Sequence, residues 1–293
     1  MRVAIATSSV VPPEFDDDGL IVEALRARGA EAEFVDWDQA GAGWERFDLV
    51  VIRSTWDYPR RLDEFLEWVG SVGERLRNEP ELIRWNSDKR YLADLVAAGI
   101  AIVPTRFVGP RDNVPSLFGE VVVKPTVSAG GRDTGRFGPT RHGEATALAE
   151  RIAAEGRTAM VQPYLDSVDR RGETALVHVA GEFVHALRKR AVLRPDEEAP
   201  LRDDPLASAE AMYDPDLVRA AEAEDDEIAF AAEVIAYLSD RFSGPPLYAR
   251  VDVARNEDGN PVLMELEAIE PCLYLHEAPT TAKRLAEAIL AEL

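Results

Sequence analysis

The chain has 293 residues, 46% apolar and 30% charged, the composition of a soluble globular protein with room for more than one core. Its 54 acidic residues outweigh 33 basic ones, a formal net charge of −21, which argues against a general nucleic-acid binder and against docking on anionic lipid. No apolar run approaches the roughly 18 residues of a membrane span, MRVAIATSSVVPPEF has no signal-peptide core, and the single Cys272 excludes an intrachain disulfide, so a cytoplasmic location is expected.

Strand and helix signals alternate at the start. RVAIA (2–6), EAEFVDW (31–37) and DLVVIRS (48–54) read as strands, and 19–29 and 62–76 as helices. Such alternation predicts a parallel α/β layer, closing near residue 86. A helix is predicted over 86–100, capped by Asn86 or Ser87, with Lys89 in its first turn. Strands at 101–108, 120–125 and 159–165 and a helix at 142–156 complete a second unit. The third unit holds two predicted hairpins, 174–193 turning at Ala180-Gly181 and 247–269 turning at Glu257-Asp258-Gly259. Between them, residues 196–227 carry 13 acidic and 2 basic side chains; the first half reads as loop and the second runs into a helix over 228–242. A last helix is predicted over 277–291. The boundaries expected are 1–86, 87–163 and 164–293.

Asp252, Glu265 and Glu267 are the most informative side chains. Glu265 and Glu267 share a strand face, and Asp252 on the partner strand can reach it. Converging carboxylates are costly without a cation, and Mg²⁺ prefers such hard oxygens. The bland alternative is the solvated face of an amphipathic hairpin. Arg250 either neutralises these carboxylates or stabilises a developing oxyanion. Lys124 ends the apolar strand EVVVKP just before the small-residue loop TVSAGGRDTG, which either approaches phosphates or is an ordinary turn. Arg188 and Arg190 share one strand face with Lys189 opposite, an arrangement equally suited to an ion-pair ladder. Glu270, Cys272 and Tyr274 follow the acidic strand and can line the same pocket, with packing the other reading of Cys272. His142, His178, His185 and His276 show no triad or zinc spacing and read as structural or surface groups.

In this order, SDKRYLADLVAAGIAIVPT, VVVKPTVSAGG, MVQPYL and RVDVARNEDGNPVLMELE resemble the ATP-grasp family of ATP-dependent ligases. The resemblance covers nearly the whole chain and implies an α/β fold, an N-terminal parallel α/β domain followed by a two-part grasp. MVQPYL and Gly172-Glu173 are similar to the glutathione synthetase branch, and RVDV to the D-alanine–D-alanine ligase branch. IRSTWDY, RWNSDKRYL, ALRKRAVL and MELEAIEPCLYL look like the O-ureido-serine cyclo-ligases of cycloserine biosynthesis.

The resemblance implies roles position by position. Lys89 and Lys124 hold the α- and β-phosphates of ATP, and the Ser128–Arg132 loop, with Ala129, Gly130 and Gly131, closes over them as a flap. Gln162, Tyr164 and Leu165 read adenine, and Glu173 meets the ribose. Asp252, Glu265 and Glu267 bind Mg²⁺, expected as two ions. Arg250 stabilises the transferred phosphoryl group, and Arg188 faces phosphate or substrate. Two departures stand out: Glu267 replaces the usual Asn, and Thr174-Ala175 replace a basic pair of the glutathione branch. Arg53, Ser54, Thr55, Trp56 and Asp57 follow the C-terminal end of a predicted strand, where α/β sheets place ligands, and with Glu270 are candidates for substrate. An anchored surface loop is the other reading of 53–57.

The function implied is a carboxylate–nitrogen ligase working through an acyl phosphate on a small amino-acid-like carboxylate, by ring closure. Intermolecular amide ligation, a grasp-fold kinase and a nucleotide-binding module without turnover are the rivals. A homo-oligomer is allowed.

Overall fold

The computed structural model describes residues 1–9, 17–193 and 216–292. Most of the acidic stretch, residues 196–215, lies outside these. The N-terminal strands are β1 (Arg2–Thr7), β2 (Glu31–Asp36), β3 (Leu49–Ile52) and β4 (Leu76–Arg77), with helices α1 (Gly19–Arg26) and α2 (Leu62–Val72). They form a parallel sheet in the order β2-β1-β3-β4. β1 and β3 are buried on both faces, which is why their sequences are continuously apolar rather than alternating.

Helix α3 (Pro80–Asn86) is an addition to the sequence reading, and it corrects the next element. Asn86 ends α3 instead of capping a helix, and α4 spans only Tyr91–Ala97. Lys89 therefore stands in the turn between two helices, its backbone N–H donating to the Thr126 carbonyl at 2.9 Å. The run 101–108 is also not one strand. Pro104 has no N–H to give a ladder. Ile102 bridges to Leu263 before it, and β5 (Arg106–Val108) begins after it.

β5, β6 (Val121–Pro125), β7 (Gly135–Phe137) and β8 (Ala159–Pro163) form an antiparallel sheet in the order β5-β8-β6-β7. It packs under α5 (His142–Ala154) with its own small core. After the short helix α6 (Asp166–Arg171) come β9 (Glu173–Val179), β10 (Glu182–Lys189), β11 (Val218–Ala221), α7 (Asp225–Arg241), β12 (Tyr248–Arg255), β13 (Pro261–Glu267) and α8 (Pro279–Ala291). The third sheet is antiparallel, β11-β10-β9-β12-β13. One face packs on α7 and α4; part of the other joins α1 and α8 in a core shared with the N-terminal sheet.

Both predicted hairpins form, and each contains a bulge. Ala180 (φ 49°) and Gly181 (φ 82°) make the two-residue turn of the first. That turn pairs Val179 with Glu182, but the register shifts at Val184, so Glu173 faces Lys189 rather than Arg188. In the second hairpin the register shifts at Met264, so Asp252 faces Glu265 and Arg250 faces Glu267.

Candidate active site

A cleft of about 600 Å³ opens between the second and third sheets, bounded by the N-terminal loop after β3. Its charged floor comes from the third sheet. The bulge at Met264 is what aligns it: without the extra residue, Glu265 and Glu267 would lie on the face opposite Asp252. With it, Met264 and Glu265 both face the cleft, and Asp252, Glu267 and Arg250 share the same sheet face.

Each carboxylate has found a cation. Asp252, 1% exposed, accepts from Arg250 Nε at 2.8 Å and from Lys189 Nζ at 2.5 Å. Glu265 lies 3.1 Å from Lys89 Nζ and 3.9 Å from Lys124 Nζ. Glu267 pairs with Arg250, and Glu173 lies 3.3 Å from Lys189. The balance between burial and pairing differs from group to group. Burial raises the Asp252 and Glu265 carboxyls, but the adjacent cations outweigh it and hold both below the usual carboxylate range. For Glu267 burial wins over Arg250, with Glu265 and Asp252 adding to the rise. Burial lowers Lys124, and Glu265 offsets only part of that.

The three predicted metal ligands thus share a face, yet among the described residues no group of three His, Cys, Asp or Glu side chains stands gathered closely enough to hold an ion. The cause lies in the pairings: Lys89 and Lys124 draw Glu265 one way, while Lys189 and Arg250 draw Asp252 and Glu267 another.

The flap lies over this floor. Gly130 (φ 65°) and Gly131 (φ 72°) take the left-handed backbone that a side chain would disfavour. Lys89 Nζ donates to the Ser128 carbonyl at 2.9 Å, tying flap to floor. Arg132 Nη2 donates to the Trp56 carbonyl at 3.1 Å, tying flap to the N-terminal loop. Around the end of β8, buried Gln162 donates to the Thr105 hydroxyl at 2.8 Å, and Tyr164 donates to Asp169 at 2.6 Å beneath the stacked Arg136 guanidinium. Gln162, Tyr164, Leu165 and Glu173 line the cleft, as do Ser128, Ala129, Gly130 and Gly131.

Several candidates stand elsewhere. Arg188 is on the opposite face of the sheet, paired with Thr174 in register and 3.9 Å from Glu227 on α7; Lys189 occupies the cleft in its stead. The bulge at Val184 is the reason. Arg53 is buried, donating to Asp18 at 2.8 Å and to the Pro271 carbonyl at 2.7 Å. Ser54 bonds the Thr7 hydroxyl, Thr55 is fully buried, and Asp57 accepts from Trp37 at 3.0 Å. Of 53–57 only Trp56 lines the cleft, its indole N–H donating to the Glu270 carbonyl at 3.2 Å. Glu270 and Cys272 also line it, as the sequence allows, and so does His276, which reads from the sequence as a structural or surface group. Burial pushes the Cys272 thiol up to about 12. Tyr274 lines it as expected; Asp17, Tyr58 and Met264 join the lining without having been singled out, and a bulge leaves no local mark that would reveal Met264.

Comparison with known proteins agrees with this architecture. The family profile described as D-cycloserine synthetase DcsG, N-terminal domain, matches residues 3–78. The chain is 35% identical to the cycloserine biosynthesis protein DcsG of Streptomyces lavendulae, over 99% of this chain and 98% of that one. The crystal structure of D-cycloserine synthetase DcsG superposes with a TM-score of 0.89 at 33% identity, covering 100% of both chains. A RimK-domain ATP-grasp protein from Sphaerobacter thermophilus has the same fold, with a TM-score of 0.66 at 18% identity over 99% of this chain and 100% of that one. The ATP-grasp ligase PsnB, which shares the fold with a TM-score of 0.59 at 16–18% identity, has been solved with AMPPNP and with Mg and ADP. No helix of the described residues is long and apolar enough to cross a membrane. The chain belongs to the DcsG family of ATP-grasp ligases, enzymes that spend ATP to form a carbon–nitrogen bond.

Proposed function

We propose that this chain is an intramolecular ligase, which activates the carboxylate of an O-ureido-serine-type substrate with ATP and closes a ring through a nitrogen of the same molecule. The whole-chain similarity to DcsG carries this reading. A cleft floor that alternates cations and carboxylates supports it.

The substrate carboxylate attacks the γ-phosphorus of ATP, the bond to the bridging oxygen breaks, and ADP leaves with that electron pair. The nitrogen then attacks the acyl carbon and loses its proton, and phosphate departs. No side-chain nucleophile is needed, so the protein contributes position and charge. Lys89 and Lys124 take the α- and β-phosphates under the Ser128–Gly131 flap, exchanging Glu265 for phosphate oxygens. Gln162, Tyr164 and Leu165 border the adenine, beside Val122, which pairs with Gln162 across β6 and β8. Glu173 meets the ribose. Arg250 and Lys189, which reach into the cleft, take the transferred phosphoryl group; Arg188 does not share this role.

Asp252, Glu265 and Glu267 offer hard carboxylate oxygens on one face of adjacent strands, a donor set that fits Mg²⁺. Two ions held there would neutralise charge on the phosphates. A cytoplasmic setting suits an enzyme that consumes ATP and carries a single cysteine.

The test is ADP release with O-ureido-serine and no added amine, with the product analysed by mass spectrometry. A ring-closed product is expected. Release only after a second amine is added would make the chain an intermolecular ligase. A stable phosphate ester would make it a kinase, and nucleotide binding without turnover across a panel of amino acids and dipeptides would make it a binding module.

A further inference from the structure

The cleft is electrically two-sided. Lys89, Lys124, Lys189 and Arg250 rise from its floor, each beside a carboxylate. Where the cleft meets the N-terminal loop, Asp17 and Glu270 line it. Two arginines near that end are engaged, Arg53 with Asp18 and the Pro271 carbonyl, Arg132 with the Trp56 carbonyl, and His276 lies beside Asp17. Asp17 accepts from the Leu275 backbone N–H. Glu270 differs. Among the described residues no salt bridge reaches it; the more distant charge of Lys89 and its own backbone N–H help its carboxylate without outweighing burial. Its main chain is fixed, because the Trp56 indole donates to its carbonyl.

A half-buried carboxylate without a cation is costly, and the cost is relieved by a cationic ligand. Burial and then the charge of Glu267 push the Glu270 carboxyl up to about 8, with Lys89 opposing. The aromatic side chains of Trp56, which bonds the Glu270 carbonyl, and Tyr58, which is stacked on Phe65, line the same cleft, and aromatic rings there favour an ammonium. Glu270 follows Glu267 by three residues, a span of at most about 10 Å. That puts Glu270 within reach of the ammonium of an α-amino acid whose carboxylate, borne by the same carbon, meets the charged floor.

We propose that Glu270 is the acceptor for the substrate's ammonium group, in a subsite walled by Trp56 and Tyr58. The inference rests on the reading of the chain as a ligase of an amino-acid-like carboxylate and names how that substrate is held.

The test compares O-ureido-serine with its deaminated counterpart, hydrogen replacing the ammonium, on wild type, Glu270→Gln and Glu270→Asp. Binding is read by calorimetry with a non-hydrolysable ATP analogue present, so it does not depend on turnover. Wild type is expected to prefer the amino compound by about 10- to 100-fold, the worth of one charge-assisted hydrogen bond. Glu270→Gln should erase that preference while leaving affinity for the deaminated compound and for nucleotide unchanged, and Glu270→Asp should keep part of it. Equal binding of both compounds to wild type, including no binding of either, overturns the proposal. So does a preference that survives in Glu270→Gln, or a Glu270→Gln effect confined to the Mg²⁺ concentration needed for activity, which would make Glu270 a metal ligand. If wild type forms no ring but shows the Glu270-dependent preference, the ring-closure reading falls and the subsite stands.

Discussion

The two faces of the third sheet carry the same kinds of charged side chain under different constraints. Behind the sheet, Glu227 is 1% exposed and receives the Thr174 hydroxyl at 2.9 Å and the Glu224 backbone N–H at 3.0 Å, with Arg255 3.5 Å away. The first bond ties α7 to β9 and the second caps the N-terminus of α7, so both groups are fixed. On the cleft face, Lys89, Lys124, Lys189 and Arg250 also hold carboxylates, but they line an open cavity where a phosphate can replace the acid. Similar chemistry thus serves as a seal where solvent is excluded and as an exchangeable charge set where a ligand can enter. The contrast teaches that charge type alone does not mark a site; the face does.

The largest expected break is on the cleft face. Asp252→Asn and Glu265→Gln should each lower Mg²⁺-dependent ATP turnover by at least about 10²- to 10³-fold. Circular dichroism should report an unchanged fold, since neutral isosteres leave the strand pairing intact. Full turnover in both variants would remove the metal assignment.

Next in size is a matched pair on neighbouring residues. Lys189→Ala should cost about 10²-fold in turnover. Arg188→Ala, on the sealed face, should stay within about twofold, because its contact with Glu227 is long and part-exposed. Equal losses in both would mean that the two faces are not functionally distinct.

That pair also marks where the sequence stopped being readable. The strand–helix alternation, both hairpins and the acids of 252–267 follow from period and turn chemistry, and the family motifs supply roles for Lys89, Lys124 and Arg250. Which of Arg188 and Lys189 enters the cleft depends on one extra residue at Val184, and the convergence of Asp252 with Glu265 depends on one at Met264. A bulge flips every side chain beyond it, and its energy comes from packing on both faces rather than from local composition. The loop 53–57 was ambiguous for a different reason. Polar residues after a strand read alike whether they meet a ligand or, as Arg53 and Asp57 do, a buried partner. Pro104, by contrast, was legible in principle: a proline inside a predicted strand is a reason to split it.

A smaller effect is expected behind the sheet. Glu227→Gln should lower stability by about 1–3 kcal/mol, because it removes a buried charge from Arg255 while keeping part of the hydrogen bonding. The thermal midpoint reports it, and turnover per folded molecule should be unchanged. A turnover loss larger than the loss of folded protein would show that the seal and the cleft are coupled.

The smallest effect has a sign set by pH. The Glu270 carboxyl rises from 4.5 to about 8 in the folded protein, first through burial and then through Glu267. Between those values the folded chain binds a proton that the unfolded chain has released, so this group costs stability as pH climbs from about 4.5 to about 8. Glutamine cannot ionise and escapes that cost. Glu270→Gln should therefore raise the thermal midpoint little at pH 5 and more at pH 8.5, measured without ligand. Asp252 supplies the opposite slope. Its carboxyl is held low by Arg250 and Lys189 against burial, so its contribution is present above the usual carboxylate range and is lost as acid protonates it. If the Glu270→Gln gain were the same at both pH values, the carboxylate would not be under strain in the free protein, and the cleft's acidic end would resemble the sealed face, with its charge already satisfied.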